Sequence, residues 1–280
     1  MKLVVFILFV SMLSIGNAQK LKTIQNLPEF LDEISGLTFL NDTILIAHND
    51  GGNDPILYFL NLQGDVVHQV EILQTKNRDW EAITFDGESI YIGDIGNNNN
   101  KRKNLAIYKV SATDILNKES VNAEVIQISY KEQTTFPPAA DEMYFDSEGL
   151  AFYNDSLHIC TTCRPSPFDG ISYQYTVSTQ PGEYVLTKRN SVYIGNNGFY
   201  VDAITDVTIF DGIYWFLTYN RISAFKLIDN KYELYKTIPL KGYSQKEALI
   251  TKDNINFYLA DEKRRFLSGG KLYKLILNEK

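Results

Sequence analysis

The stretch Asp79-Trp80-Glu81-Ala82-Ile83-Thr84-Phe85, followed by Ile90-Tyr91-Ile92-Gly93-Asp94-Ile95-Gly96-Asn97-Asn98, reads as two short strands with carboxylates before the first and after the second. Weaker copies recur at Ser35-Gly36-Leu37-Thr38-Phe39, Asp146-Ser147-Glu148-Gly149-Leu150-Ala151-Phe152, Thr205-Asp206-Val207-Thr208-Ile209-Phe210 and Lys246-Glu247-Ala248-Leu249-Ile250. Five copies of one strand pair, tens of residues apart, point to a radial repeat architecture. A two-sheet sandwich would leave that recurrence unexplained.

The alternation around each copy fills it out into a sheet. Blade one takes residues 34–40, 43–48, 56–61 and 66–73 as strands, with Asn41-Asp42 and Gln63-Gly64-Asp65 as polar turns. Blade two takes 82–85, 89–93, 105–110 and 124–130, and blade three 149–153, 157–162, 171–177 and 184–194. Blade four takes 207–210, 214–219, 222–227 and 233–238, and blade five 248–251, 256–260 and 271–277. The last blade is one strand short, whereas residues 21–25 are a strand to spare. Pairing the two closes the ring and removes an exposed sheet edge. The expected fold is all-β: a five-bladed β-propeller of four-stranded antiparallel blades closed by the N-terminal strand. A six-bladed ring is the runner-up, its extra blade placed in the wide interval between Glu81 and Glu148. Residues 96–103 are too polar for core, 113–117 suit a short helical turn, and 131–140, with Pro137-Pro138, read as connector.

Residues 1–18 carry a basic start at Lys2, an apolar run from Leu3 to Leu13 and the small-residue ending Gly16-Asn17-Ala18, the parts of a secretory signal peptide. The run is too short for a bilayer of ~30 Å. Cleavage after Ala18 leaves residues 19–280 as one propeller domain, exported to the periplasm or secreted, with no membrane insertion expected. The net charge of −7 and scattered basic residues argue against a nucleic-acid partner, which needs a concentrated basic face. Cys160-Thr161-Thr162-Cys163 admits a disulfide if the chain turns there. Residues three apart on an extended strand face opposite ways, and zinc would need a second pair.

In a propeller the residues before strand one and after strand two of each blade gather around one channel mouth. The first group offers Glu33, Asp79 with Glu81, Asp146 with Glu148, Asp206, and Glu247; the second offers His48-Asn49-Asp50, Asp94, Arg164, Asn220-Arg221 and Asp261. An acidic ring of Glu33, Asp50, Asp79, Glu81, Asp94, Asp146, Glu148, Asp206, Glu247 and Asp261 is therefore the candidate ligand site. Hard cations take oxygen ligands of this kind, so Glu81, Asp94, Glu148 and Glu247 are candidate Ca²⁺ ligands. An architectural reading stands beside it: Glu81, on one face with Ile83 and Phe85, would accept backbone hydrogen bonds from the next blade. Ser35, His48 and Asp50 fall on one face of blade one, but Ser35 lacks the nucleophile-elbow setting. Lys101-Arg102-Lys103 could hold an anion or be a solvated loop tip. His68 and His158 read as packing residues.

At Glu33-Ile34-Ser35-Gly36-Leu37, His48-Asn49-Asp50-Gly51-Gly52, Asp79-Trp80-Glu81-Ala82-Ile83, Gly93-Asp94-Ile95-Gly96-Asn97, Asp146-Ser147-Glu148-Gly149-Leu150 and Lys246-Glu247-Ala248-Leu249, the chain resembles secreted bacterial β-propellers of the broad NHL and strictosidine-synthase-like superfamily. That resemblance implies a propeller with calcium in or near the channel, in a group that includes phytase-like and lactonase-like hydrolases. Ser35 stands where other repeats carry an acid, and Ile204 and Gln245 stand where an outer acid would be. The leading expectation is a binding protein for Ca²⁺ and a small or glycan-like ligand. A metal-assisted hydrolase of phosphate or carboxylic esters and an interaction scaffold are the competing classes.

Overall fold

A computed structural model describes residues 21–264 and 269–277, so the expected leader at 1–18 lies outside the described residues. The strands form five sheets, which settles five blades over six for the described residues. The inner strands are Ile34–Phe39, Trp80–Phe85, Asp146–Tyr153, Asp206–Phe210 and Gln245–Thr251. Each touches the inner strand before and after it, and the fifth touches the first, so they enclose a channel. The spare strand lands as expected: Lys22–Asn26 pairs antiparallel with Lys271–Ile276 as the outer strand of blade five.

Apolar residues on the two faces of each sheet meet those of the next, which produces five separate cores between blades. Between blades one and two, Ile46, Phe59 and Val70 pack against Trp80, Ile92 and Tyr108. Burying side chains of this size stabilises by about 1.5–3 kcal/mol each. Trp80 is fully buried, with the His48 ring edge-on to it at 5.7 Å.

Four-stranded blades are exceeded twice. The expected single strand 184–194 splits into Gly182–Leu186 and Asn190–Tyr193, and only the second belongs to blade three. Gly182–Leu186 instead runs parallel to Glu124–Tyr130 on the outside of blade two. Glu132 Oε1 fixes the departure by accepting the Lys188 amide at 3.0 Å. Likewise Ser120–Asn122, leaving blade two, pairs parallel with Val66–Leu73 of blade one. Both straps reach back to the preceding blade and cover an edge that would otherwise be open.

Residues 96–103 also depart from expectation. Asn97 and Asn100 are buried because their side chains stand in for a missing strand ladder between blades two and three. Asn97 donates to the Phe145 carbonyl at 3.0 Å, and Asn100 accepts the Phe145 amide at 2.8 Å. The disulfide alternative falls too: Cys160 and Cys163 are free thiols. Cys160 donates to Gln174 at 2.7 Å and Cys163 to Asp169 at 3.0 Å, each buried against its own partner.

Candidate functional site

The inner strands open with a shared irregularity. In blades one, two, three and five the ladder to the second strand skips one residue: Ser35, Glu81, Glu148 and Glu247. Each is the extra residue of a β-bulge, a device that re-aims one side chain out of the alternating pattern. Glu81 therefore does not share a face with Ile83 and Phe85, as simple alternation had it. All four side chains line a cavity of about 240 Å³ at the channel mouth. The residue after each is Gly or Ala, and at the two glycines close packing demands it. A Cβ on Gly36 would lie 2.3 Å from His48 Nε2, and one on Gly149 would lie 2.6 Å from Val207. The inner strand pair of blade four has no such bulge, and Asp206 pairs in regular register with Leu217.

Around the bulged residues the second-strand exits add Asp50 and Arg164, and the lead-in and blade five add Glu33, Glu262 and Arg264. Asp50, Asp79 and Glu81 offer carboxylate oxygens that all lie within 4.8 Å of one another. Gly96 makes this approach possible, since a Cβ there would sit 2.4 Å from Glu81 Oε1 and 2.6 Å from Asp79 Oδ2. The Ser35 hydroxyl donates to Glu81 Oε2 at 3.1 Å. Arg102 approaches Asp79 only to 3.9 Å.

Burial, with the nearby Asp146 and Asp50 charges, lifts the Asp79 carboxyl to about 7. Burial also drives Glu81 well above the usual carboxylate range, helped by Glu148, Asp50 and Asp79. Glu148 and Glu247 are raised in the same way, Glu148 by burial and Asp146, Glu247 by burial and Glu262. Such crowding of like charges is relieved by protons or by a cation.

Not every expected acid reaches the mouth. Asp94 is fully buried behind it, where it takes Arg102 Nη2 at 2.6 Å and the Asp79 amide at 3.1 Å. Arg102 neutralises it there, and the carboxylates that converge instead are Asp50, Asp79 and Glu81. Asp146 is held by Arg164 Nε and the Asn97 amide. Asp261 accepts the Tyr273 hydroxyl at 2.6 Å and the Lys271 amide at 3.0 Å. Asp206 accepts the Leu249 amide at 2.6 Å and the Val207 amide at 2.7 Å, joining blade four to blade five. For Asp206 and Asp261 the architectural reading is the one the contacts follow. Replacing Asp206 by Ala strands two buried amides at about 1–3 kcal/mol each. Asp206→Ala is expected to melt several degrees lower while its response to added cation stays that of the wild type, as differential scanning fluorimetry with and without Ca²⁺ would show.

No Ser–His relay forms. Ser35 is committed to Glu81, and His48 is buried with Nδ1 at 2.9 Å from the Asn49 carbonyl. Burial lowers its pKa to about 4. The far side of the mouth is aromatic, a feature that the acidic motifs did not signal. Phe199 and Tyr200 sit on the short helix Phe199–Asp202, and Tyr219 follows the second strand of blade four. Arg221 pins that helix through Asp202 at 2.6 Å and the Val201 carbonyl at 3.1 Å. Arg164 stacks on the Phe199 ring at 4.6 Å, and Tyr200 is 69% exposed. The Gly198-Phe199-Tyr200 run was the available sequence signal, an aromatic pair in a Gly/Asn-rich turn.

No protein-family model matches the chain, and no curated protein matches it by sequence. Among solved structures it is similar to the glutaminyl cyclase of Myxococcus xanthus, with a TM-score of 0.56 at 10% identity, over 91% of this chain and 95% of that one. It is also similar to regucalcin, a calcium-binding protein of Agrobacterium tumefaciens, with a TM-score of 0.50 at 11% identity, over 93% and 95% of the two chains. At these identities the likeness is one of fold.

Proposed function

We infer that the channel mouth binds a divalent cation, Ca²⁺ by its chemistry, and beside it a small or glycan-like ligand. The observation that carries this reading is the convergence of Asp50, Asp79 and Glu81 from two blades to within 4.8 Å. The donors are hard oxygens. Ser35 and Asn98 add a hydroxyl and an amide to the same cavity, with no imidazole or thiol among its lining residues. That set suits Ca²⁺, which accepts six to eight oxygens in flexible geometry, better than zinc. The propeller similarity to a protein described as calcium-binding is in keeping with it, as is the resemblance of the repeat motifs to those of NHL and strictosidine-synthase-like propellers. The exposed face of Tyr200, with Phe199 and Tyr219, supplies a flat apolar wall of the kind sugar rings and planar ligands stack on. Export through the N-terminal leader belongs to the same reading and is tested by finding the mature chain, beginning at Gln19, outside the cytoplasm.

One feature favours a hydrolytic variant of this site: the Asp79 carboxyl, lifted to about 7, lies in the range of an effective general base. The deciding experiment is a thermal melt with chelator against one with excess Ca²⁺, repeated on an Asp79→Asn, Glu81→Gln double variant. A cation at a hundred times its Kd stabilises by about 2.7 kcal/mol, a rise of about 5–10 °C for a domain of this size. The wild type is expected to show that rise and the variant to lose it. Ca²⁺-dependent turnover of a phosphate or carboxylic ester that disappears in the variant would establish the enzyme. Equal melts in all four conditions would leave the carboxylates as architecture.

A further inference from the structure

We propose that a cleft at the outer rim between blades one and two is a second site, for a small organic anion with a phosphate or carboxylate head group. The cleft measures about 450 Å³, within the range of small-molecule pockets. One wall is the segment leaving blade one, with Gln74, Lys76 and Arg78; the other is the outer half of blade two, with Asn104, Val125 and Gln127. Among the described residues no carboxylate lines it, although the chain as a whole carries a net charge of −7. A cationic, amide-rimmed pocket on an acidic protein is an arrangement that solubility does not require.

Its two cations are available. Among the described residues Lys76 has no carboxylate within 4.0 Å. Arg78 is 44% exposed, and its one acidic neighbour, Asp94, stands 3.6 Å away. Asp94 is satisfied without it by Arg102 at 2.6 Å, the Tyr108 hydroxyl at 3.3 Å and the Asp79 amide at 3.1 Å. The Arg78 guanidinium is thus a surplus partner, free to turn its planar donor fork to an oxyanion. Asn104 is oriented by Arg102, whose Nε donates to Asn104 Oδ1 at 3.4 Å, which leaves the Asn104 amide hydrogens for a ligand. Ala106 and Val125 form an apolar floor for the body of the molecule. Of the Lys101-Arg102-Lys103 triplet, Arg102 therefore serves the anion cleft indirectly, by neutralising Asp94 and aiming Asn104. Lys103 instead rests over the Phe136 ring at 4.8 Å.

The test is a titration of isotopically labelled, metal-stripped protein with inorganic phosphate and, separately, with acetate, at constant ionic strength set by chloride. Stripping the metal keeps a calcium-bridged phosphate at the channel mouth from imitating the result. Phosphate or acetate is expected to move the amide resonances of residues 74–78 and 104–106 saturably, and the tighter of the two identifies the head group. Lys76→Ala and Arg78→Ala should each weaken that binding about tenfold or more, the worth of one charge-assisted hydrogen bond. Shifts that stay linear and spread over the surface, or an affinity unchanged in Lys76→Ala, would overturn the assignment. Lys76 is exposed, so its variant tests the site without disturbing the fold.

Discussion

Stripped of metal, the protein is expected to lose stability as pH rises from 6.5 to about 8.5, and excess Ca²⁺ is expected to restore it. Asp79, Glu81, Glu148 and Glu247 have folded-state pKa values above those of the unfolded chain. Between the two values the folded protein holds protons that the unfolded chain has released, so unfolding becomes easier with each step up in pH. Their contribution is whole below the ordinary carboxylate range and is lost through the folded value, about 7 for Asp79. His48 and His158 run the other way, because burial lowers both, but their effect is complete by their ordinary value of 6.5. The depressed carboxylates Asp86, Asp169 and Asp253 act at still lower pH. Above 6.5 the raised acids dominate; the Cys160 and Cys163 thiols, raised by burial, add to them towards 8.5, and Lys246, lowered by burial, opposes them. Each proton on a raised acid changes stability by about 1.4 kcal/mol per pH unit below its folded value, a fall of about 3–6 °C in melting temperature for a domain of this size. A melting temperature in chelator that stays level or climbs across this window would show that the cluster is not strained by its own charge.

Removing the closing strand is the second large perturbation. A chain beginning at Leu27 loses the ladder from Lys22↔Lys274 to Asn26↔Lys271. It also loses Leu21, which is buried with Leu275, Leu277 and Ile238 between blades four and five. On the other flank Gln25 lies against Gly64 of blade one, so closely that a Cβ on that glycine would fall 2.6 Å from Gln25 Cβ. This one strand therefore ties together both seams of blade five. One buried leucine and several backbone hydrogen bonds amount to about 4–6 kcal/mol. The truncated protein is expected to melt on the order of 10 °C or more below the full chain, with a broader transition. A synthetic peptide spanning residues 19–26 should restore the difference in trans. Truncation with no change in melting would mean that the five cores hold the ring shut unaided.

Much of this was legible in the sequence because repetition multiplies a weak signal. The strand pair at Trp80–Phe85 and Ser89–Asp94 is unremarkable alone, but its copies fix the blade number and the location of the mouth. The closing strand was legible by subtraction. The straps Ser120–Asn122 and Gly182–Leu186 were not, because parallel pairing to the preceding blade is decided by packing at a distance, and Val185 on one of them is exposed. The bulges hid for a different reason. Alternation places Glu81 with Ile83, and the only trace of the irregularity is the small residue that follows each bulged position. Sorting mouth acids from structural ones was beyond the motif as well: Asp94 and Asp79 flank the same pair, and Arg102, eight positions beyond Asp94, separates their fates. Glu262, the last residue of the second strand of blade five, and the Phe199-Tyr200 pair, on the short helix ahead of blade four, enter the site from positions that the motif copies do not name.

The two straps run in one direction only, from blade three to blade two and from blade two to blade one. Two of the five seams are therefore lashed by straps, whereas blade four ends in the bare nine-residue strand Lys231–Pro239. Any breathing of the circle will be lopsided. Its compliant side carries the aromatic wall, and its stiff side holds Asp50, Asp79, Glu81 and Glu148, so a guest can be admitted by yielding on one flank while the charge cradle on the other keeps its shape.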